Sequence, residues 1–216
     1  MKTCPVCEHS TYALYDKEID ITHHVCKACG YTFKDPADHV GETKEKALYS
    51  NHQNTMENQG YVNMFKRFLD FALDENTRGP ALDFGSGPGP VLYELLKREG
   101  FESYHYDPYF HDEKSVFTRR YGLITSTEVF EHLSDPKQII TQLDDLLKTE
   151  GILAVMTSLR PVSDEAFLKW WYRRDRTHIG FFTEESFKRL AEGTNLELTK
   201  TNRNNYFLFE KRSDKS

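Results

Sequence analysis

The stretch Ala81-Leu82-Asp83-Phe84-Gly85-Ser86-Gly87-Pro88-Gly89-Pro90 decides the fold. Four residues of buried-strand character run directly into a glycine-rich turn. Pro90 suits the first turn of a following helix, where its missing N–H costs nothing. Val91, Leu92, Leu95 and Leu96 give that helix an apolar face, and Gly100 stops it. A second strand, Ser103–Tyr106, then ends in Asp107-Pro108. Strand, glycine turn, helix and strand make a βαβ unit, so the sheet is predicted to be parallel with crossover helices.

The same alternation continues on both sides. Upstream, Tyr61, Met64, Phe65, Phe68, Leu69 and Ala72 recur at helical spacing until Arg78-Gly79-Pro80 breaks the run, while 41–58 reads as a polar lead-in. Downstream, Gly122–Ser126 is a strand and Ser134-Asp135-Pro136 a cap-plus-proline helix start. Ile139, Ile140, Leu143, Leu146 and Leu147 form one face of that helix, which is expected to end at Gly151 before a buried strand, Ile152–Met156. An aromatic helix is predicted near Phe167–Tyr172 and another capped at Thr183. Strands Leu196–Thr199 and Tyr206–Glu210 close the chain as a hairpin. The fold class is therefore α/β: a Rossmann-like, doubly wound, mostly parallel sheet with a C-terminal antiparallel hairpin.

All four cysteines lie in the first 29 of 216 residues. Cys4-x-x-Cys7 and Cys26-x-x-Cys29 are separated by eighteen residues, the spacing of a zinc ribbon. Two such knuckles let four thiolates surround one tetrahedral ion, which leaves no open position for catalysis, so a structural zinc is expected. Gly30 falls where the second knuckle must turn with positive φ. A redox dithiol would sit beside a βαβ pattern, and none adjoins these cysteines. With four Cys available, His9, His23, His24 and His39 are surplus and read as surface residues. The ribbon is assigned to 1–39 and the remaining domain to 40–216.

Composition limits the function. With 15 Phe and 12 Tyr, the chain can build a core. It has no run near the ~20 apolar residues of a membrane span and opens on no signal-peptide core, so a cytoplasmic location and no membrane partner are expected. The net charge is −6, and residues 1–39 hold four Lys against six Asp and Glu. Phosphate-backbone binding usually shows a basic face, so charge disfavours RNA as partner.

The glycine turn points backbone N–H groups at a ligand, and Asp107, 18 residues past Gly89, can grip ribose hydroxyls. The dinucleotide fingerprint would need glycine where Pro90 stands. Asp83, two residues before the first glycine, would face a pyrophosphate poorly and an ammonium well. S-adenosylmethionine (SAM) offers an ammonium, a ribose and no phosphate.

On these residues the chain resembles the class I SAM-dependent methyltransferases. Leu82–Gly89 is similar to their first motif, hydrophobic-D/E-x-G-x-G-x-G, and Tyr106-Asp107-Pro108 to their second-strand acidic motif. Tyr121–Pro136, with Glu128-Val129-Phe130-Glu131-His132-Leu133, looks like the fourth-strand segment of the small-molecule branch. The resemblance implies that Asp83, Gly85, Ser86 and Gly87 hold the methionine end of SAM. It implies Asp107 on the ribose, Pro108 beside the adenine, Thr127 and Glu128 under the sulfonium, and Tyr61 or Tyr49 over the cofactor. About fourteen residues separate Asp107 from the fourth strand where relatives fit a helix and a strand, so Lys114–Thr118 is expected to be a strand stub.

Methyl transfer from a sulfonium needs positioning, plus a base where the acceptor must lose a proton. The candidates are His178, His132 and Glu128. The Glu128-x-x-Glu131-His132 cluster resembles that of quinol and phenol O-methyltransferases, some of which are ascribed a divalent metal there; alternatively Glu131 caps a helix and His132 orients a loop. Arg176–Thr183 is similar to the H-x-x-F-F-T segment on the acceptor side, where His178 is either base or loop brace. Trp170, Trp171 and Tyr172 read as core or lid. Arg173, Arg174 and Arg176 either reach an anionic acceptor or sit at a solvated helix end. Methylation of a small-molecule acceptor is the expected function. RNA methylation through a ribbon recognition module, and a non-catalytic SAM-binding or protein-interaction role, are the alternatives.

Overall fold

The computed structural model describes residues 2–50 and 54–213. In chain order its elements are β1 (Thr11–Asp16), β2 (Ile21–Cys26), β3 (Thr32–Lys34), α1 (Glu42–Tyr49), α2 (Gln59–Ala72), β4 (Ala81–Phe84), α3 (Val91–Arg98), β5 (Ser103–Tyr106), β6 (Tyr121–Thr127), α4 (Pro136–Leu146), β7 (Leu147–Met156), α5 (Asp164–Lys169), β8 (Gly180–Phe181), α6 (Glu184–Ala191), β9 (Leu196–Thr201) and β10 (Tyr206–Lys211).

Among the described residues, β5-β4-β6-β7-β10-β9 form one six-stranded sheet. The first four strands are parallel, and β10 inserts antiparallel between β7 and β9. This is the expected α/β arrangement, with its closing hairpin. Strand alternation explains why these strands read as nearly continuous apolar runs. Leu82, Ile124, Leu153, Val155, Phe207 and Phe209 pack on one face, whereas Ala81, Leu123, Ile152, Ala154, Met156 and Leu208 pack on the other. The second face is covered by α2 and α3; the first is covered by α4, α6 and part of the N-terminal segment. With both faces buried, a period-two pattern has no polar side to display.

The helix starts are chemically explicit. Asp135 accepts from Gln138 N at 2.9 Å with Pro136 behind it, and Thr183 and Ser186 form a reciprocal capping box. Pro90 sits at the N-cap of α3, one place before the position expected of it.

The N-terminal segment builds a second sheet, β1-β2-β3-β8. Its fourth strand comes from far along the chain: Thr32 pairs with Phe181 and Phe33 with Gly180. Gly30 adopts φ 73°, as the knuckle turn requires.

Several local expectations are corrected. Lys114–Thr118 is a 3₁₀ helix, not a strand stub, its Glu113 side chain accepting from Ser115 N. The polar lead-in contains α1, which has no buried residue and so no apolar period to reveal it; positions 51–53 of that lead-in lie outside the described residues. α4 stops at Leu146, and the chain is already extended as β7 before Gly151. The aromatic segment divides into α5 and a 3₁₀ turn, Trp171–Arg174. His23 is not a surface residue: it is fully buried, edge-on to Phe167 and Phe181. Burial and the nearby cations Lys34 and Arg173 pull its pKa down to about 3, so it packs as a neutral ring. Arg173 is neither solvated nor free for an acceptor, being 1% exposed against Asp16 and Glu18.

Candidate functional site

The carboxyl ends of β4, β5 and β6 open into a cavity of about 1060 Å³. That edge is where open α/β sheets bind ligands, because strand order reverses there and the loops part. Asp83, Gly85, Ser86, Gly87, Asp107, Pro108, Thr127, Glu128 and Tyr61 all line it, as do His132 and His178.

The glycine turn is shaped by its neighbours. Gly85 has φ 83°, and a Cβ there would lie 2.2 Å from Val129 Cγ2, so only glycine fits. A Cβ on Gly89 would lie 1.8 Å from Asn54 O, so the lead-in closes directly on the turn. Gly85 N and Ser86 N donate to Tyr106 O, and Gly87 N donates to Asp107 Oδ2 at 2.9 Å. Asp107 Oδ1 accepts from Tyr109 N and Phe110 N. The acidic side chain is thereby locked against the turn, its carboxylate at the rim of the cavity.

Asp83 is buried at the cavity floor, where its carboxylate accepts from the backbone of Tyr93 and makes a weak contact with Thr125 Oγ1 at 3.4 Å. Burial, reinforced by Asp107, pushes its carboxyl up to about 7. Such a group gains strongly from an approaching cation. Tyr61 faces Asp83 and Glu128, which with burial raise its hydroxyl pKa.

Across the cavity sits a second cluster. Glu128 has φ 52°, a left-handed conformation that a non-glycine residue holds at a cost. Its Oε2 and Glu131 Oε1 both accept from the Tyr172 hydroxyl, the former at 2.9 Å. Glu131 is fully buried, and its Oε2 has no hydrogen-bond partner among the described residues. Burial raises both carboxyl pKa values, and at Glu128 the neighbouring Glu131 adds to it.

His132 Nδ1 lies 2.9 Å from Thr177 O and from the Tyr49 hydroxyl. His178 Nδ1 lies 2.9 Å from Tyr172 O. A carbonyl only accepts, so both rings carry their proton on Nδ1 and present a bare Nε2. Glu131 Oε1 stands 4.0 Å from His132 Nε2, and Asp175 Oδ2 stands 3.8 Å from His178 Nε2. Burial lowers both imidazole pKa values, that of His178 to about 3, so each is neutral at physiological pH. Of the alternatives for Glu131 and His132, the helix cap is excluded because Glu131 lies inside a 3₁₀ turn, Phe130–His132. His132 does tie down a loop, through Thr177.

Sequence reading did not single out Asp175, Thr177 or Glu45. Asp175 lies three residues before His178, a spacing that could have flagged it. Burial opposes ionisation of Asp175, but His178 and two donors from Thr177 outweigh it and the net shift is downward. Glu45, on the polar α1, accepts from the Tyr49 and Tyr109 hydroxyls at 2.7 and 2.9 Å and so closes one wall.

The four cysteines converge as a separate group that does not line this cavity. Cys4 and Cys29 Sγ are 3.8 Å apart, and Cys7 lies 3.4 Å from both Cys26 and Cys29. All four sulfurs fall within 4.8 Å of one another. Four thiolates at ~2.3 Å around a tetrahedral ion stand about 3.8 Å apart, so the donor set fits zinc.

Comparison with known proteins agrees with this geometry. No curated protein sequence matches the chain significantly. Solved structures do. The magnesium protoporphyrin IX methyltransferase of Synechocystis PCC 6803, bound to S-adenosyl-L-homocysteine (SAH), shares 14% identity at TM-score 0.52, over 81% of this chain and 89% of that one. The SAH-bound N-methyltransferase NodS of Bradyrhizobium japonicum WM9 shares 13% at TM-score 0.52, over 79% and 98%. CalO1, a methyltransferase of calicheamicin biosynthesis, shares 15% at TM-score 0.52, over 78% of this chain and 58% of its own. At these identities the likeness is one of fold. The profile of a methyltransferase-domain family matches residues 56–201, well over half of the chain and including the glycine turn, Asp107 and both histidines. The chain belongs to the methyltransferase-domain family.

Proposed function

We propose that this methyltransferase moves the methyl group of SAM to a small-molecule acceptor. The observation that carries the reading is the division of one cavity into two chemically different halves. One half presents the glycine turn, Asp83 and Asp107. The other presents two neutral imidazoles, each with a bare nitrogen and a carboxylate about 4 Å away.

In the first half, Asp83 pairs with the SAM ammonium, and the backbone of Gly85, Ser86 and Gly87 receives the methionine end. Asp107 takes the ribose hydroxyls and Pro108 borders the adenine. Thr127 and Glu128 lie below the sulfonium, with Tyr61 above. In the second half, an acceptor hydroxyl or amine approaches in line with the S–CH₃ bond. As the new bond forms, the acceptor's proton passes to Nε2 of His178 or His132. Asp175 or Glu131 then stabilises the imidazolium, which burial alone would disfavour. SAH leaves as product, the S–CH₃ electron pair remaining on sulfur.

Residues 1–39 are proposed to form a zinc ribbon ahead of the catalytic domain, 40–216, with Cys4, Cys7, Cys26 and Cys29 as ligands. No helix among the described residues is long and apolar enough to cross a membrane. A cytosolic setting, which keeps thiols reduced, suits this ligand set.

The test is incubation with SAM labelled on its methyl group and host extract fractionated into small molecules, RNA and protein. Label is expected in the small-molecule fraction and lost with Asp107→Ala. Label in RNA instead would overturn the acceptor class, and no label despite measured SAM binding would overturn turnover itself.

A further inference from the structure

The segment from Tyr172 to Thr183 forms the acceptor-side wall: Tyr172, Asp175, Thr177, His178 and Ile179 all face the cavity. It has little regular structure of its own, β8 being two residues long. It is held from two sides: by the methyltransferase domain, where Ile179 N donates to Glu131 O, His132 Nδ1 to Thr177 O and Arg160 N to Phe182 O, and by the cysteine ribbon. Lys34 N donates to Ile179 O at 2.9 Å, and Lys34 Nζ donates to Asp175 O at 2.8 Å. Thr183 Oγ1 donates at 2.6 Å to the carbonyl of Cys29, itself one of the four thiols. Arg173 Nε meets Asp16 at 2.7 Å, and Arg173 Nη2 meets Glu18 at 2.6 Å. The fit is close: a Cβ on Gly180 would lie 2.2 Å from the Tyr31 hydroxyl.

Among the described residues, the glycine turn of the cofactor half makes no hydrogen bond to the ribbon. Its hydrogen bonds run to Tyr106 and Asp107, both on the parallel sheet. Among the described residues, the ribbon's bonds to the cavity wall named above thus fall on the acceptor half.

We infer that the ribbon is a positioning element for the acceptor half of this cavity, with Lys34 and Arg173 as positioning residues and the metal-filled knuckles as their rigid base. Emptying the knuckles releases the wall that carries Asp175 and His178 while leaving the cofactor half assembled. This rests on the zinc reading proposed above, and on the two-half reading of the cavity. A metal in such a site supplies folding free energy rather than chemistry, and here that free energy is directed into one wall of the pocket.

The experiment measures metal content of the purified protein, then compares amide hydrogen exchange at 175–183 and 84–90, and SAH affinity by calorimetry. The full chain is measured as purified, after chelation, and as Cys26→Ser, Lys34→Met and Lys34→Arg. Exchange at 175–183 is expected to rise at least tenfold after chelation and in Cys26→Ser and Lys34→Met. Exchange at 84–90 and SAH affinity should change less than threefold, and Lys34→Arg should retain most of the protection. Once labelling supplies an acceptor, Lys34→Met should lower kcat or raise the acceptor KM with the SAM KM unchanged, a split that general destabilisation would not produce. Unchanged exchange at 175–183 in Lys34→Met would overturn the inference, as would equal loss of protection in both halves. Protein that carries no zinc would overturn the metal reading alone, because the Lys34 variants test the clamp without it.

Discussion

The proposed pairing of Asp83 with the SAM ammonium predicts a cofactor affinity that depends on pH in a direction and by an amount that can be worked out. The perturbation is pH itself, between 5.5 and 8.5. Burial holds the Asp83 carboxyl up at about 7, and only its ionised form attracts the SAM ammonium. Binding below pH 7 must first expel the proton. The apparent Kd then exceeds its high-pH limit by 1 + 10^(7 − pH): roughly twofold at pH 7, roughly tenfold at pH 6 and about thirtyfold at pH 5.5, since each pKa unit is worth ~1.4 kcal/mol. Calorimetry with SAH, which keeps the amino-acid end, measures this directly. In two buffers of different ionisation heat it should also show a proton released on binding near pH 6.5. Asp83→Asn should bind weakly at every pH and lose the dependence. A Kd flat from pH 5.5 to 8.5, or one that tightens on acidification, would refute the assignment of Asp83 to the ammonium. The sign is informative for stability too. A carboxyl raised on folding favours the protonated native state, so its contribution is lost as pH climbs from the unfolded value through 7. Asp83→Asn should therefore melt a few degrees higher than wild type at pH 8.

Other perturbations address the rest of the site. Tyr172→Phe removes the single proton donated to Glu128 and Glu131; a loss of roughly 1.5–3 kcal/mol predicts a drop of about 3–12 °C in Tm. A melting curve shifted by under 1 °C would mean that the hydroxyl is not engaged. Gly85→Ala collides with Val129 and demands a left-handed alanine, so SAH affinity should fall at least tenfold and partly return in Gly85→Ala/Val129→Ala, where the collision but not the backbone strain is relieved. Failure of the second substitution to restore any affinity would place the whole effect in the backbone. Deleting residues 1–39 exposes the edge of β8 and strips Arg173 of Asp16 and Glu18, so the remaining chain should aggregate on expression rather than fold as an independent domain. Soluble protein with a cooperative melt would contradict that.

Elements with a strong period, and turns with obligatory chemistry, were legible in the sequence. The glycine turn, the Asp135-Pro136 start, the Thr183 cap and the closing hairpin depend on interactions within a few residues, and local sequence carries them. The cavity-lining residues from Asp83 to Glu128 were legible for the same reason, each standing in or just after a strand that local sequence marks, β4 and β6 by apolar residues and β5 by its place after the glycine turn and helix. What escaped was long-range or lacked a period. α1 packs no apolar stripe, so nothing distinguished it from a loop. His23 and Arg173 are polar residues buried against partners more than 140 positions away, and no local pattern announces such a pair. Asp175 was passed over because a lone acid in a charged stretch reads as surface until the fold turns it toward His178.

The pairing of β3 with β8 also constrains how the protein is made. Strand β3 ends at Lys34, but its partner begins at Gly180, some 146 residues later. At ~5–20 residues per second of synthesis, the nascent ribbon waits roughly 7–30 s with one sheet edge open and Asp16 without its guanidinium. Exposed edges of that kind invite pairing with other chains. Lys34, at the end of the open edge, places a charge there during the wait and is buried only when the late segment arrives. A segment synthesised ahead of the parallel sheet is thus completed only after that sheet's strands β4 to β7 have been made.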